Sequence, residues 1–132
     1  MSNGVARVGD TISGTCTGIY ERYETVGHDS DGHPIRRWVQ YEESGTVTGV
    51  ITSGSPDTFI DGLAVARVGD TVSITKTYPH SNHIDDLEVT GVISSGSDAM
   101  LVNGKKVACV GSKINASNVT ATIESGSSTV FV

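Results

Sequence analysis

The chain repeats itself, and the repeat closes. Residues 49–70, GVITSGSPDTFIDGLAVARVGD, align without a gap on residues 91–112, GVISSGSDAMLVNGKKVACVGS, at an offset of 42. Residues 121–132, ATIESGSSTVFV, match the first half of the same unit at a further offset of 30. Residues 4–10, GVARVGD, match its second half, with Val5–Asp10 identical to Val65–Asp70. Val132 is therefore equivalent to Val102 and Ile60, and Met1 to Asp61. The chain stops one position before the place where it begins. Its 132 residues divide into units of 60, 42 and 30, roughly 1–60, 61–102 and 103–132, with the first split across the termini. A repeat cut in its middle predicts that the two termini meet and complete a unit. The expected object is a single closed domain over 1–132 with pseudo-threefold symmetry; an open solenoid would need capping repeats.

The shared unit has a plain local reading. GVITSGS is a strand running into a turn, DTFID and AMLVN alternate apolar and polar residues, and LAVARVGD is a return strand ending in Gly69-Asp70. Asp61-Gly62 and Asn103-Gly104 are strong two-residue hairpin turns. Ile51, Phe59, Val65, Val68 and their equivalents are expected to face the shared axis. Composition agrees: 17 Val and 10 Ile against 3 Leu and 2 Met favour a pleated surface over helical cores. The fold class expected is all-β, a closed pseudo-threefold cone of β-hairpins. The units differ only in the loop after the VGD turn, residues 11–48, 71–90 and 113–120, and all three loops should emerge at one end.

Charge and motif content exclude several functions. A net charge of −6 argues against a nucleic-acid or anionic-membrane surface. No apolar run approaches the length of a membrane-spanning helix, and MSNGVARVGD lacks the basic and apolar regions of a secretory signal. The two cysteines, Cys16 and Cys109, are expected to be reduced thiols or ligands rather than a bridge. No phosphate-binding glycine loop, nucleophile–base pair or paired-carboxylate signal is present, so no catalytic residue is assigned and the chain is not read as an enzyme. Arg7–Asp10 and Arg67–Asp70 recur by symmetry, which points to a structural charge pair or turn cap.

The string GSPDTFIDGLAVARVGD resembles the repeat of PAAR proteins, whose unit runs roughly GSPxVxVNGxPAARxGD, and the resemblance extends through all three cycles. The proline of the family pattern is replaced by Gly4, Ala64 and Lys106, and the third unit carries Cys109 for Arg and Ser112 for Asp. The resemblance implies a cone-shaped monomer seated on a trimeric β-helical spike, one copy per trimer, which sharpens the spike as it is driven through a bacterial envelope. A contractile phage tail is the leading setting, with the protein at the virion tail tip or baseplate after assembly in the host cytoplasm. The tip of a type VI secretion spike is the alternative. The repeats consume the chain, so no fused toxin domain is expected. Symmetry supports the same role: a pseudo-threefold monomer can match three identical chain ends while its far face is free to be asymmetric.

The resemblance also implies a zinc near the tip, held by histidines and a cysteine in the loops after the turn; iron is the alternative. By position these are Cys16 in the first loop and His80 and His83, an H-x-x-H pair, in the second. They leave one place in a tetrahedral site for His28, His33 or water. A tip has little core of its own, and a metal tying loops together would supply rigidity. Cys109 is read as a small buried thiol on a core strand.

The first loop reads as a hairpin, with arms Ile19–Val26 and Ile35–Glu43 around GHDSDGHP, and Arg22 and Glu24 facing Arg37 and Glu42. It holds Tyr20, Tyr23, Trp38 and Tyr41. The simplest expectation is a hairpin packed on the cone wall. The sharper one makes Tyr23, Trp38 and Tyr41 a contact for another baseplate protein or an envelope component, or for a glycan if the domain is an adhesin. DSDG at 29–32 begins like a calcium loop, but the bidentate Glu that should complete it is absent.

Overall fold

The computed structural model describes residues 3–132. Its ten strands are β1 (Thr11–His28), β2 (Pro34–Ile51), β3 (Phe59–Ile60), β4 (Leu63–Ala64), β5 (Thr71–Thr77), β6 (Glu88–Ile93), β7 (Ser97–Val102), β8 (Lys105–Val107), β9 (Lys113–Asn115) and β10 (Val119–Ile123). Among the described residues there is no helix. Six strands close an antiparallel barrel in the order β1-β10-β9-β6-β5-β2, and β3-β4 and β7-β8 form separate hairpins.

The pseudo-threefold axis is written in the backbone. The Ala6 amide donates to the Ala108 carbonyl, Ala108 to Ala66, and Ala66 to Ala6, each at 2.9 Å. Around this ring Val5 bridges Cys109, Arg7 bridges Val65 and Arg67 bridges Val107. The turns that follow carry Gly9, Gly69 and Gly111 at φ of 94°, 95° and 93°, a left-handed conformation that β-carbon crowding denies to most residues. The termini complete the third hairpin. Asn3 and Val132 exchange both backbone hydrogen bonds at 2.9 Å, and Gly4 bridges Phe131 as Ala64 pairs with Phe59.

Two apolar clusters stack along the axis. Val5, Val65 and Val107 with Ile60 and Val102 fill the hairpin end. The barrel holds Ile12, Val72, Ile114, Ile51, Ile93 and Ile123 in its first ring. The next layer is Gly14, Ile74, Ala116, Gly49, Gly91 and Ala121, where one isoleucine occupies the room that glycines and alanines leave. Two of the expected axial residues differ. Phe59 lies outward at 58% exposure and Ile60 points in, and Val68 is only half-buried. The tight Asp61-Gly62 turn sets this register, and a one-residue slip in a strand exchanges its faces.

The first loop is not a separate hairpin on the wall. β1 and β2 are each 18 residues long, and their pairing runs from the barrel past its rim to His28–Pro34, with an irregularity between Thr25 and Gly27. Its outer half projects into solvent. Across the pair Glu24 does face Arg37, but Arg22 faces Val39 and Glu42 faces Ile19.

Candidate functional site

The barrel's inward stripe continues onto the projecting hairpin with period two. On β1 it runs Ile12, Gly14, Cys16, Gly18, Tyr20, and on β2 Ile51, Gly49, Val47, Gly45, Glu43, Tyr41. Over this face folds the second loop, residues 78–87. Tyr20 bridges His83, the Glu21 amide donates to the Asn82 carbonyl at 3.3 Å, and the Ile84 amide donates to the Ile19 carbonyl at 3.0 Å. The Tyr78 ring rests on Gly18 and Gly45, where an added Cβ would lie 2.7 and 2.6 Å from it. These two glycines are what let the ring close the barrel.

His80 and His83 converge on one carboxylate. His83 Nε2 lies 3.0 Å from Glu43 Oε1, and His80 Nδ1 contacts Glu43 Oε2 while its amide donates to Oε1 at 3.1 Å. His83 is almost wholly buried, stacked on Tyr78 with ring centroids 3.7 Å apart, and His80 stacks on Tyr20 at 4.3 Å. Burial works against the Glu43 charge, but the hydrogen bonds from His80 and His83 outweigh it and hold the carboxyl at about 2. Burial and the neighbouring Cys16 thiol push the Tyr78 hydroxyl up.

The three metal residues expected from sequence are thus partly assembled. His80 and His83 share Glu43, whereas Cys16 lies inside the barrel with its Sγ 3.8 Å from the Thr46 carbonyl. His28 and His33 are at the far end of the hairpin, away from the rim. There His33 joins Asp29 and Asp31 in an exposed group with donor atoms within 4.8 Å of one another, able to hold an ion. Glu43 was absent from the expected ligands. Counting alternate residues back from Ile51 would have put it on the inner face, but only the tertiary fold carries residues 80–83 over to meet it.

The aromatic trio divides by face. Tyr23 and Trp38 are directly paired, 57% and 58% exposed, with centroids 5.5 Å apart on the outer face. Tyr41 lies on the inner face, stacked on Tyr20, and donates its hydroxyl to Glu24. At the opposite end of the molecule the equivalent residues Phe59, Leu101 and Phe131 are 58%, 63% and 52% exposed, one per unit.

The recurrent charge pairs are turn clamps. Arg67 forks onto Asp70 (Nε to Oδ2 and Nη2 to Oδ1, both 3.0 Å) and reaches Asn103 Oδ1 at 3.0 Å. Arg7 does the same with Asp10 and reaches Asp61 Oδ2 at 2.8 Å. Burial opposes the Asp70 charge, but Arg67 prevails and holds the carboxyl below its usual range. In the third unit the Cys109 amide donates to Ser112 Oγ at 3.1 Å, as Arg67 N does to Asp70 Oδ2 at 2.8 Å, and Cys109 is a free buried thiol.

A closed cone of three hairpin units on a backbone-bonded axis, with clamped VGD turns, defines a pseudo-threefold β-tip. The PAAR motif family matches residues 42–115, more than half of the chain, and the protein belongs to that family. The comparison with curated proteins returns no match. Family membership gives the chain a spike-tip role in contractile injection systems, with a spike protein as partner, in a family whose members are structural and bind a metal.

Proposed function

We propose that this protein caps the trimeric β-helical spike of a contractile phage tail, one copy per trimer, and sharpens it for passage through the bacterial outer membrane. The observation that carries the reading is the ring of Phe59, Leu101 and Phe131. Three exposed apolar side chains, one from each unit, stand at the hairpin end of a molecule whose other end has no such symmetry. A trimer presents the same contact three times, and holding its three chain ends together raises the effective concentration of the second and third contacts. The same geometry serves a type VI secretion spike. The protein acts mechanically rather than as an enzyme, and its place is the virion tail tip.

The far end carries the metal. Zinc, with iron as the alternative, is held at the barrel rim with His80 and His83 among its ligands. The donor chemistry fits: two imidazoles converge on an anionic group, and His83 Nδ1 is a buried polar atom without a hydrogen-bond partner among the described residues. Bound there, the ion would tie the second loop to the root of the hairpin, where the protein has least core. The exposed Tyr23–Trp38 pair supports a further contact with a baseplate protein or an envelope component.

Co-purification with the cognate trimeric spike tests the capping role. One copy per trimer, lost when Phe59, Leu101 and Phe131 are all changed to Ser, is the expected result. Three copies per trimer would overturn it.

A further inference from the structure

The projecting half of the β1–β2 hairpin has two edges, and only one is covered. The β1 edge is closed by the chain itself. The Thr17 amide donates to the Asn118 carbonyl at 3.0 Å, the Glu21 amide to the Asn82 carbonyl at 3.3 Å, and the Ile84 amide to the Ile19 carbonyl at 3.0 Å. Odd-numbered residues of β1 thus turn their backbone groups away from β2, so the even-numbered residues of β2 turn theirs away from β1. Within the barrel those groups meet β5, whose pairing runs from Val72–Ile51 to Thr77–Thr46. Past Thr46 nothing replaces β5: the backbone groups of Arg36, Trp38, Gln40 and Glu42 have no partner among the described residues.

We propose that this edge pairs with the same edge of a second copy of the chain, antiparallel about a two-fold axis at Val39. Bare strand edges are templates for another strand, and they are normally blunted by Pro, Lys or a bulge. Residues 35–44 contain no Pro or Lys, and the extra residue of the hairpin's irregularity, Val26, lies on β1.

Two observations select the occupant and the register. The first is charge. Arg36 and Glu42 are both exposed, and among the described residues neither has an ion-pair partner. The edge is basic toward the turn and acidic toward the barrel, so it complements itself when reversed. A register centred on Val39 sets Arg36 of each copy opposite Glu42 of the other, and Trp38 opposite Gln40, in pairs that exchange both backbone hydrogen bonds. The second observation is length. The bare stretch is bounded by the turn that ends at Pro34 and by Gly45, which the Tyr78 ring covers. Its centre falls at Val39–Gln40, so two reversed copies fit side by side with each turn reaching the other's barrel shoulder. A cavity of about 470 Å³ bounded by residues 44–46 and 77–79 opens at that shoulder and gives the turn room. A two-fold contact of this kind closes at two copies and does not propagate. It also leaves Phe59, Leu101 and Phe131 free at the opposite end. One strand pair is a small interface, so association is weak and concentration-dependent.

Sedimentation of the whole chain from about 1 μM to about 1 mM tests this, and a monomer–dimer equilibrium without larger species is expected. Arg36→Glu and Glu42→Arg should each weaken the dimer roughly 10-fold or more, because the axis repeats every like-charge contact. Mixing these two variants should restore dimers, since each reversed charge then meets the other. Gln40→Pro should abolish the dimer with an unchanged circular dichroism spectrum, because Pro is tolerated where an edge N–H faces solvent. A chain that stays monomeric at about 1 mM, its edge left to a strand of a different protein, would overturn the proposal. So would single charge variants that dimerise like the parent, a mixture of them that stays monomeric, or a dimer indifferent to Gln40→Pro. Capture of the spike trimer by the same variants is a separate readout that reports on capping alone.

Discussion

Ile74→Ala should be among the most damaging single changes in this protein. Ile74 is fully buried, and the inward positions level with it are Gly14, Ala116, Gly49, Gly91 and Ala121. Removing three carbons forfeits about 0.8 kcal/mol each, or about 2.4 kcal/mol of transfer free energy. The void adds to this, because the other inward positions of the same layer are glycines and alanines, with no large side chain to move in. Backbone also blocks its closure: a Cβ at Gly14 would lie 2.0 Å from the Thr120 carbonyl, and one at Gly49 2.3 Å from that of Ser73. The total should reach about 4 kcal/mol, toward the upper end for such truncations. Urea unfolding with linear extrapolation measures it. A built-in control is Gly91, where an added Cβ would lie 2.9 Å from Ile74 Cδ1. Gly91→Ala should destabilise the parent and be neutral or stabilising beside Ile74→Ala, with a coupling of about 1 kcal/mol or more. A loss under about 1.5 kcal/mol for Ile74→Ala, or strict additivity with Gly91→Ala, would refute this account of the layer.

Arg67→Met leaves the buried Asp70 carboxylate without its clamp and should cost about 3–5 kcal/mol, whereas Arg67→Cys combined with Asp70→Ser should cost much less, since Cys109 and Ser112 already perform that turn; equal losses in urea unfolding would contradict this. Asp57, Asp61 and Asp70 are held below their ordinary value of 3.8 by the Asn103 side chain, by Ser127 and Thr129, and, against burial, by Arg67 respectively. The unfolded chain therefore binds more protons in acid. Their contribution is complete above about pH 4 and is lost as pH falls further, so the urea midpoint should drop steeply below that value, and a midpoint unchanged down to about pH 2 would count against it. Trp38→Ala should change stability by no more than about 0.5 kcal/mol and leave spike capture intact, because the ring is 58% exposed; a large loss in the same assay would mean that the hairpin packs on the body.

The repeat determined the closed threefold plan unaided. Offsets of 42, 30 and 60 already required the termini to meet, and Asn3 and Val132 do exchange hydrogen bonds. Hairpin turns at Asp61-Gly62 and Asn103-Gly104 were equally legible, because local turn chemistry leaves few other conformations at φ near 55° and 78°. What sequence left open was every choice of side. Phe59 against Ile60 differs by one residue of register, and alternation alone does not say which member of the pair faces the axis. The hairpin of the first loop was visible, but not that its arms are continuous with barrel strands and project. The rim histidines show the division most clearly: the H-x-x-H spacing singled out His80 and His83, because both lie in one short segment. Glu43 met them only through the fold, since strand β2 and the second loop are distant in the chain and meet where the barrel ends. Periodicity is a property of one strand and can be read along it; the convergence of side chains from different strands depends on the closure of the barrel, which no local stretch of sequence contains.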